Sequence, residues 1–160
     1  RFRVDLTIRR VRFWSSPVDD IAQSLNTIFD EQLTLADLGY DVVDLYAGCI
    51  IYDFDASNTY VFDLDEYRTG PFILDANRLP GSRRFMTLEE WNKGAIIDQV
   101  TNVFTLGSAV AEFLGRGATS VDAWLGTDPM RLVTPKATSG NRSARHQSVQ
   151  EFVEDWQSVD

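Results

Sequence analysis

Two aspartates stand where short apolar runs end: Asp44 follows Val42-Val43, and Asp63 follows Tyr60-Val61-Phe62. An acid at the end of a buried strand is fixed by the strand behind it, and two such ends on neighbouring strands can face one site. Paired carboxylates of this kind suit phosphoryl transfer. One orients or accepts the proton of a hydroxyl nucleophile, and the other holds the Mg2+ that bridges the phosphates. Other reactive side chains are sparse. One cysteine, Cys49, and one histidine, His146, cannot build a Cys/His metal cluster. Cys49 reads as a small buried residue with a quiet thiol, and His146 as a surface residue near a helix start.

The elements that must position these acids follow from periodicity. Ser16-Pro17-Val18-Asp19 supplies an N-cap, a proline at the first helical position and an acid at the positive helix end. Ile21, Leu25, Ile28, Phe29 and Ala36 then recur at helical spacing, and Gly39 is a natural stop, which predicts a helix over 17–38. Cys49-Ile50-Ile51-Tyr52 and Tyr60-Val61-Phe62 flank the turn chemistry of Asp55-Ala56-Ser57-Asn58 and predict a hairpin. Residues 66–85, with Gly70-Pro71, Pro80-Gly81 and four arginines, read as a long loop. From Thr87 the pattern predicts helix again, and Thr101–Leu114 is apolar nearly all round, as a buried central helix is. Further helices are expected over 119–125, 129–138 and Ser148–Trp156. At the N-terminus Phe2, Val4, Leu6 and Ile8 alternate with arginine and aspartate, which predicts a connector or edge strand within 1–16.

At 160 residues, 44% hydrophobic and 12% aromatic, the chain can bury a core of its own as one domain. A single cysteine excludes an internal disulfide and makes a reducing cytoplasm the expected compartment. Fifteen basic against 24 acidic residues give a net charge of −9, which argues against binding duplex nucleic acid or an anionic membrane. Charge is also unevenly placed: residues 1–16 hold five arginines, whereas 17–66 hold twelve acids and no Lys or Arg. The basic segment is expected to meet that acidic stretch or an upstream lobe. No apolar run is long enough to span a bilayer, and the absence of a start methionine implies a piece of a longer chain.

Several segments taken in order resemble the large, C-terminal lobe of the protein kinase superfamily over residues 17–156. They are Asp44-Leu45-Tyr46-Ala47-Gly48-Cys49, the hairpin, Asp63-Leu64-Asp65, then Gly81-Ser82 and Met86-Thr87-Leu88-Glu89, the buried Thr101-Asn102-Val103-Phe104-Thr105-Leu106-Gly107, and a late Arg145. The resemblance implies a mainly α (α+β) fold, a helical bundle around a buried central helix with a small β-hairpin carrying the catalytic and metal-binding loops. It implies a catalytic-loop aspartate at Asp44 and the metal-binding aspartate of D-F-G at Asp63, with Asp65 a further metal carboxylate. Cys49 takes the place of the asparagine that helps hold metal and nucleotide. Ser82 falls in the substrate-binding loop facing the catalytic acid, and Glu89 in the place of the A-P-E glutamate that pairs with a late arginine, here Arg145. The cofactors implied are Mg2+ and ATP, and the partner a protein substrate.

Departures from the family pattern shape the expectation. Val42 and Val43 replace His and Arg, Tyr46 replaces the catalytic-loop lysine, Asp65 replaces the D-F-G glycine, and Asn102 replaces the aspartate that braces the catalytic loop. The chain holds neither a Gly-rich phosphate loop nor a V-A-I-K-type lysine strand. The function expected is therefore the C-lobe of a divergent bacterial serine/threonine protein-kinase-like phosphotransferase, incomplete or inactive alone and completed by an upstream small lobe. A pseudokinase interaction module is one alternative. A small-molecule kinase is another, because Asp44–Cys49 is also similar to the D-L-H-x-G-N loop of aminoglycoside phosphotransferases, with Gly70-Pro71 echoing that family's G-P. The lobe face left uncovered invites self-association.

Overall fold

Helix α1 (Leu6–Trp14) stands where alternation predicts a connector strand. Its last turns explain the difference. Arg10, Phe13 and Trp14 are three and four residues apart and share one helical face. Trp14 Nε1 donates to the Glu112 carbonyl at 3.3 Å, Arg10 lies 3.5 Å from Glu112 Oε1, and the Phe13 ring meets Tyr52 and Phe113 edge-on. Among the described residues of the basic segment, Arg10 finds a carboxylate on a distant helix, and the Arg12 guanidinium lies 4.0 Å from the centroid of the Phe54 ring, within the acidic stretch 17–66. The computed structural model that gives this arrangement describes residues 6–117 and 123–159.

Helix α2 (Val18–Asp37) starts one residue beyond the expected cap; Pro17 occupies the cap position without a side-chain bond, and Asp19 and Asp20 face the positive helix end. Ile21, Leu25 and Ile28 have no exposed surface. Gly39, at φ +82°, turns the chain out of the helix, its amide donating to the Ala36 carbonyl. Strand β1 (Tyr40–Asp41) follows, then the hairpin of β2 (Ile50–Asp53) and β3 (Asn58–Val61), with Ile50 opposite Val61 and Asp53 opposite Asn58. The Asp53 carboxylate closes the turn by accepting from the amides of Asp55 and Ala56. The long loop is pinned at two places: β4 (Arg68–Thr69) pairs with β1, and β5 (Phe72–Ile73) pairs with β6 (Ile96–Ile97). Where helix is expected from Thr87, only a 3-10 turn at Glu89–Trp91 forms before β6.

Three helices complete the fold: α3 (Gln99–Leu114), α4 (Asp128–Ala137) and α5 (Val149–Gln157). Each opens on a capping side chain, Asp98, Thr127 and Ser148 respectively. The helix expected over 119–125 falls largely outside the described residues. Helix α3 is buried between α2, α4 and α5, as its apolar circumference demands. Aromatic rings seal the α2–α5 contact: Phe29 meets Phe152 and Trp156 edge-on at 5.0 and 5.6 Å, and Trp156 Nε1 donates to Asn26 Oδ1 at 2.7 Å. His146 belongs to this core and not to the surface. It is fully buried against Phe152, with Nε2 2.7 Å from Asp155 Oδ2. The described residues therefore form a mixed α and β fold of helices around α3 with three two-stranded antiparallel sheets. No helix among them is long and apolar enough to cross a membrane.

The end of α4 packs closely on α3 at Gly107. A Cβ placed on Gly107 would lie 2.6 Å from Ala137 Cβ and 3.0 Å from Thr138 Cγ2. Gly107→Ala gains about 1 kcal/mol of helix propensity but overpacks a fixed contact costing about 1–3 kcal/mol. Net destabilisation of up to about 2 kcal/mol is expected in urea unfolding, and a more stable variant would show that α4 can move aside.

Candidate functional site

The chain enters the site through β1. The ladder ends at Asp41, and Val42 and Val43 are buried in opposite directions, Val42 in the main core and Val43 in a smaller cluster with Leu74, Leu79, Met86 and Ile97. Asp44 therefore does not end a strand; it sits in the loop that the two valines anchor on both sides. It adopts φ 63°, and Asp63 beyond β3 adopts φ 66°, a left-handed conformation that aspartate accepts more readily than most residues. The hairpin base ties the two together. Cys49 Sγ donates to the Asp44 carbonyl at 3.2 Å, and the Cys49 carbonyl accepts the Phe62 amide at 3.0 Å, one residue before Asp63. The Tyr46 ring packs on Gly48, where a Cβ would come within 2.3 Å of it.

Electrostatics report the same proximity. Burial and then the carboxylates of Asp63 and Glu66 push the Asp44 carboxyl above its ordinary value. Burial raises the Cys49 thiol, and Asp44 and Asp63 raise it further, so it stays protonated and is not a thiolate ligand. Tyr46 is raised by Cys49, then by burial and the same two acids. Asp44, Tyr46, Cys49 and Asp63 are thus one electrostatic group. Asp65, expected to add a metal carboxylate, is exposed and takes no hydrogen bond or ion pair among the described residues. Ser82 is half-buried beside Gly81, whose Cβ position lies 3.6 Å from Asp44 Oδ1. Gly81, at φ +140°, lets the loop pass that close, and the Ser82 carbonyl accepts the Phe85 amide at 2.8 Å.

Among the described residues no group of three or more His, Cys, Asp or Glu side chains is arranged to hold a metal ion. Mg2+ is ordinarily held by one or two carboxylates together with substrate phosphates and water, so Asp63 with Asp44 is a donor set of the right kind. Cys49, a protonated soft donor bonded to the backbone, does not fit. A cavity of about 640 Å³ opens between α1, the hairpin and the end of α3. Its lining includes Phe13, Gly48, Ile51 and Phe62, the neighbour of Asp63, but neither aspartate.

Behind the site lies the pair of Glu89 and Arg145, 56 positions apart. Arg145 Nη1 donates to Glu89 Oε1 at 2.5 Å and Nη2 to Oε2 at 3.3 Å. Two partners complete the network that the sequence reading lacks. Arg142 Nη1 also reaches Glu89 Oε1 at 2.9 Å, and Arg142 Nη2 grips both oxygens of Asp98, the α3 cap, at 2.8 and 2.7 Å. The spacing of Arg142 and Arg145 around one turn, and the cap position of Asp98, are the signals for them. Burial opposes ionisation of Glu89, but hydrogen bonds led by Arg145 prevail and hold it at about 2. Its neighbour Glu90, buried with one amide donor from Thr87, is instead raised to about 7.

Asp41 is the second unforeseen acid. It is buried against Gly70; its Oδ1 accepts from Asn102 Nδ2 at 3.2 Å, while Asp41 Oδ2 and Asn102 Oδ1 have no hydrogen-bond partner among the described residues. Burial, with the Asp98 charge, raises it to about 6.

These shifts fix the sign of the pH dependence. Glu89 contributes stability that is complete above its ordinary 4.5 and is lost as pH falls towards 2. Asp41 and Glu90 act oppositely: their raised values mean stability is lost as pH rises through about 6 and about 7. Urea unfolding should therefore show a maximum near pH ~4–5, and Glu90→Gln should flatten the decline towards neutrality. A monotonic rise from pH 4 to 8 would contradict the assignment. Arg145→Met should cost about 3 kcal/mol at pH 7, because Arg142 alone then faces a half-buried carboxylate.

No protein-family model matches the chain, and comparison with curated proteins finds no match.

Proposed function

We propose that the chain is the large lobe of a divergent serine/threonine protein-kinase-like phosphotransferase that works with Mg2+ and ATP and is completed by an upstream lobe. The observation that carries this reading is the bearing of Asp63 and Glu66 on the Asp44 carboxyl across the hairpin base. Like charges held together at left-handed positions cost stability, and such a cost is typical of sites built for a reaction. Asp44, partly buried and raised, is placed to orient a substrate hydroxyl, with Gly81 and Ser82 passing against it. Asp63, exposed beside it, would hold Mg2+ when nucleotide is bound, and that ion supplies charge neutralisation at the transferred phosphoryl group. The apolar wall of Ile51 and Phe62 would receive the base, and the backbone of Ala47 and Gly48 the edge of the same cavity. The Glu89–Arg145 pair and the Asn102–Asp41 contact supply the supports behind such a site.

A second reading is favoured by one specific observation. Cys49 spends its thiol on the Asp44 carbonyl and leaves no oxygen where a second metal ligand is needed. On that reading the lobe is a pseudokinase platform for a protein partner.

Thermal-shift titration with Mg–ATP separates the two. Occupancy at 100 times Kd stabilises by about 2.7 kcal/mol, and the shift should fall sharply when Mg2+ is withheld or in Asp63→Asn. Absence of any shift, or one identical in Asp63→Asn, favours the platform.

A further inference from the structure

Of the four arginines between residues 66 and 85, two are neutralised within the fold. Arg84 lies 3.0 Å from Glu112 Oε2 and donates to the Gly117 carbonyl, and Arg68 lies 3.8 Å from Glu66. Arg78 and Arg83 are exposed, and no carboxylate among the described residues stands within ion-pair distance of either. Both guanidiniums lie instead over one indole, Trp91, at 4.9 and 5.4 Å from the ring centroid. Two cations on one ring repel each other, in a chain whose net charge is −9 and which has acids to spare elsewhere. A shared anion converts that repulsion into charge-assisted hydrogen bonds, and guanidinium forks suit carboxylate and phosphate equally.

The platform has a fixed relation to the acidic pair. Trp91 packs against the cluster of Val43, Leu74, Leu79, Met86 and Ile97. Val43 immediately precedes Asp44, and Met86 Sδ and Asp44 Oδ1 flank the same Cβ position at Gly81, 3.3 and 3.6 Å away. Ser82 lies between Gly81 and Arg83 in the loop. An acidic ligand approaching Asp44, Asp63 and Glu66 would be repelled unless its own charge met these arginines first.

We infer that Arg78, Arg83 and Trp91 form a subsite for an acidic side chain, carboxylate or phosphate, of a peptide whose hydroxyl residue lies against Asp44. The term substrate rests on the transferase reading above; the binding of the acidic peptide does not.

The test uses labelled peptides and fluorescence anisotropy on the whole chain at low salt. Three peptides carry a central serine flanked by glutamates, by phosphoserines or by lysines. Acidic peptides should bind at least about tenfold more tightly than the lysine peptide, and more weakly as salt is raised. Arg78→Gln/Arg83→Gln should weaken acidic-peptide binding at least about tenfold, whereas Arg131→Gln, which removes a paired surface arginine, should leave it unchanged. The glutamate and phosphoserine arms show which anion the pair prefers. Equal binding by the parent chain and the double variant, or preference for the lysine peptide, overturns the subsite. The Mg–ATP shift is read separately. Nucleotide binding with no acidic-peptide preference removes the subsite alone, and the converse result removes the transferase reading while the subsite stands.

Discussion

Glu89 is gripped by two guanidiniums, and the order of the site depends on that grip. Between the hairpin and α3 the chain runs for more than thirty residues with only two-residue strands, too short to hold a loop in place unaided. The Glu89–Arg145–Arg142–Asp98 network fastens the far end of this loop to the N-terminus of α3 and to the connector before α5. Burying charges is costly, and the cost is offset here because each carboxylate accepts more than one donor and Arg145 also donates to the carbonyls of Ser139 and Val100. Gly81 and Ser82 hang between that anchor and the hairpin, so their approach to Asp44 is inherited from contacts well away from it.

Adjacent acids in this structure are driven in opposite directions by what they face. Glu89 meets guanidiniums and is held ionised; Glu90, one residue on, meets a backbone amide in an apolar surround and is pushed towards neutrality. Asp44 and Asp41, three residues apart, are both raised, Asp44 by partial burial and neighbouring carboxylates, Asp41 chiefly by burial. Net charge alone conveys none of this. A count of twelve acids in residues 17–66 reads as a solvated face, yet some of those acids are internal or held against one another.

How much was legible depended on whether the determinant was local. Helices α2 to α5 announce themselves through apolar spacing, and the hairpin through the turn at Asp55–Asn58. Helix α1 does not, because eight alternating residues satisfy a strand pattern while Phe13 and Trp14, which decide the matter, act through α3. The left-handed backbone at Asp44 and Asp63 has no sequence signature beyond residue type. His146 reads as exposed because nothing in its immediate neighbours reveals that Phe152 and Asp155, six and nine residues on in α5, will enclose it. The mixed α and β architecture was foreseeable; the second arginine on Glu89 and the internal acid at Asp41 came only from long-range packing.

Glu112 sits at the end of α3 with its two oxygens divided, one towards Arg10 of α1 and the other towards Arg84 of the loop that carries Ser82. A single counterion is thereby shared by the segment where the chain enters the fold and the segment that borders Asp44. Each cation screens the carboxylate from the other, so loosening either arm strengthens its rival's hold. Tension applied at α1 is thus passed, through one side chain, to the loop that carries Ser82.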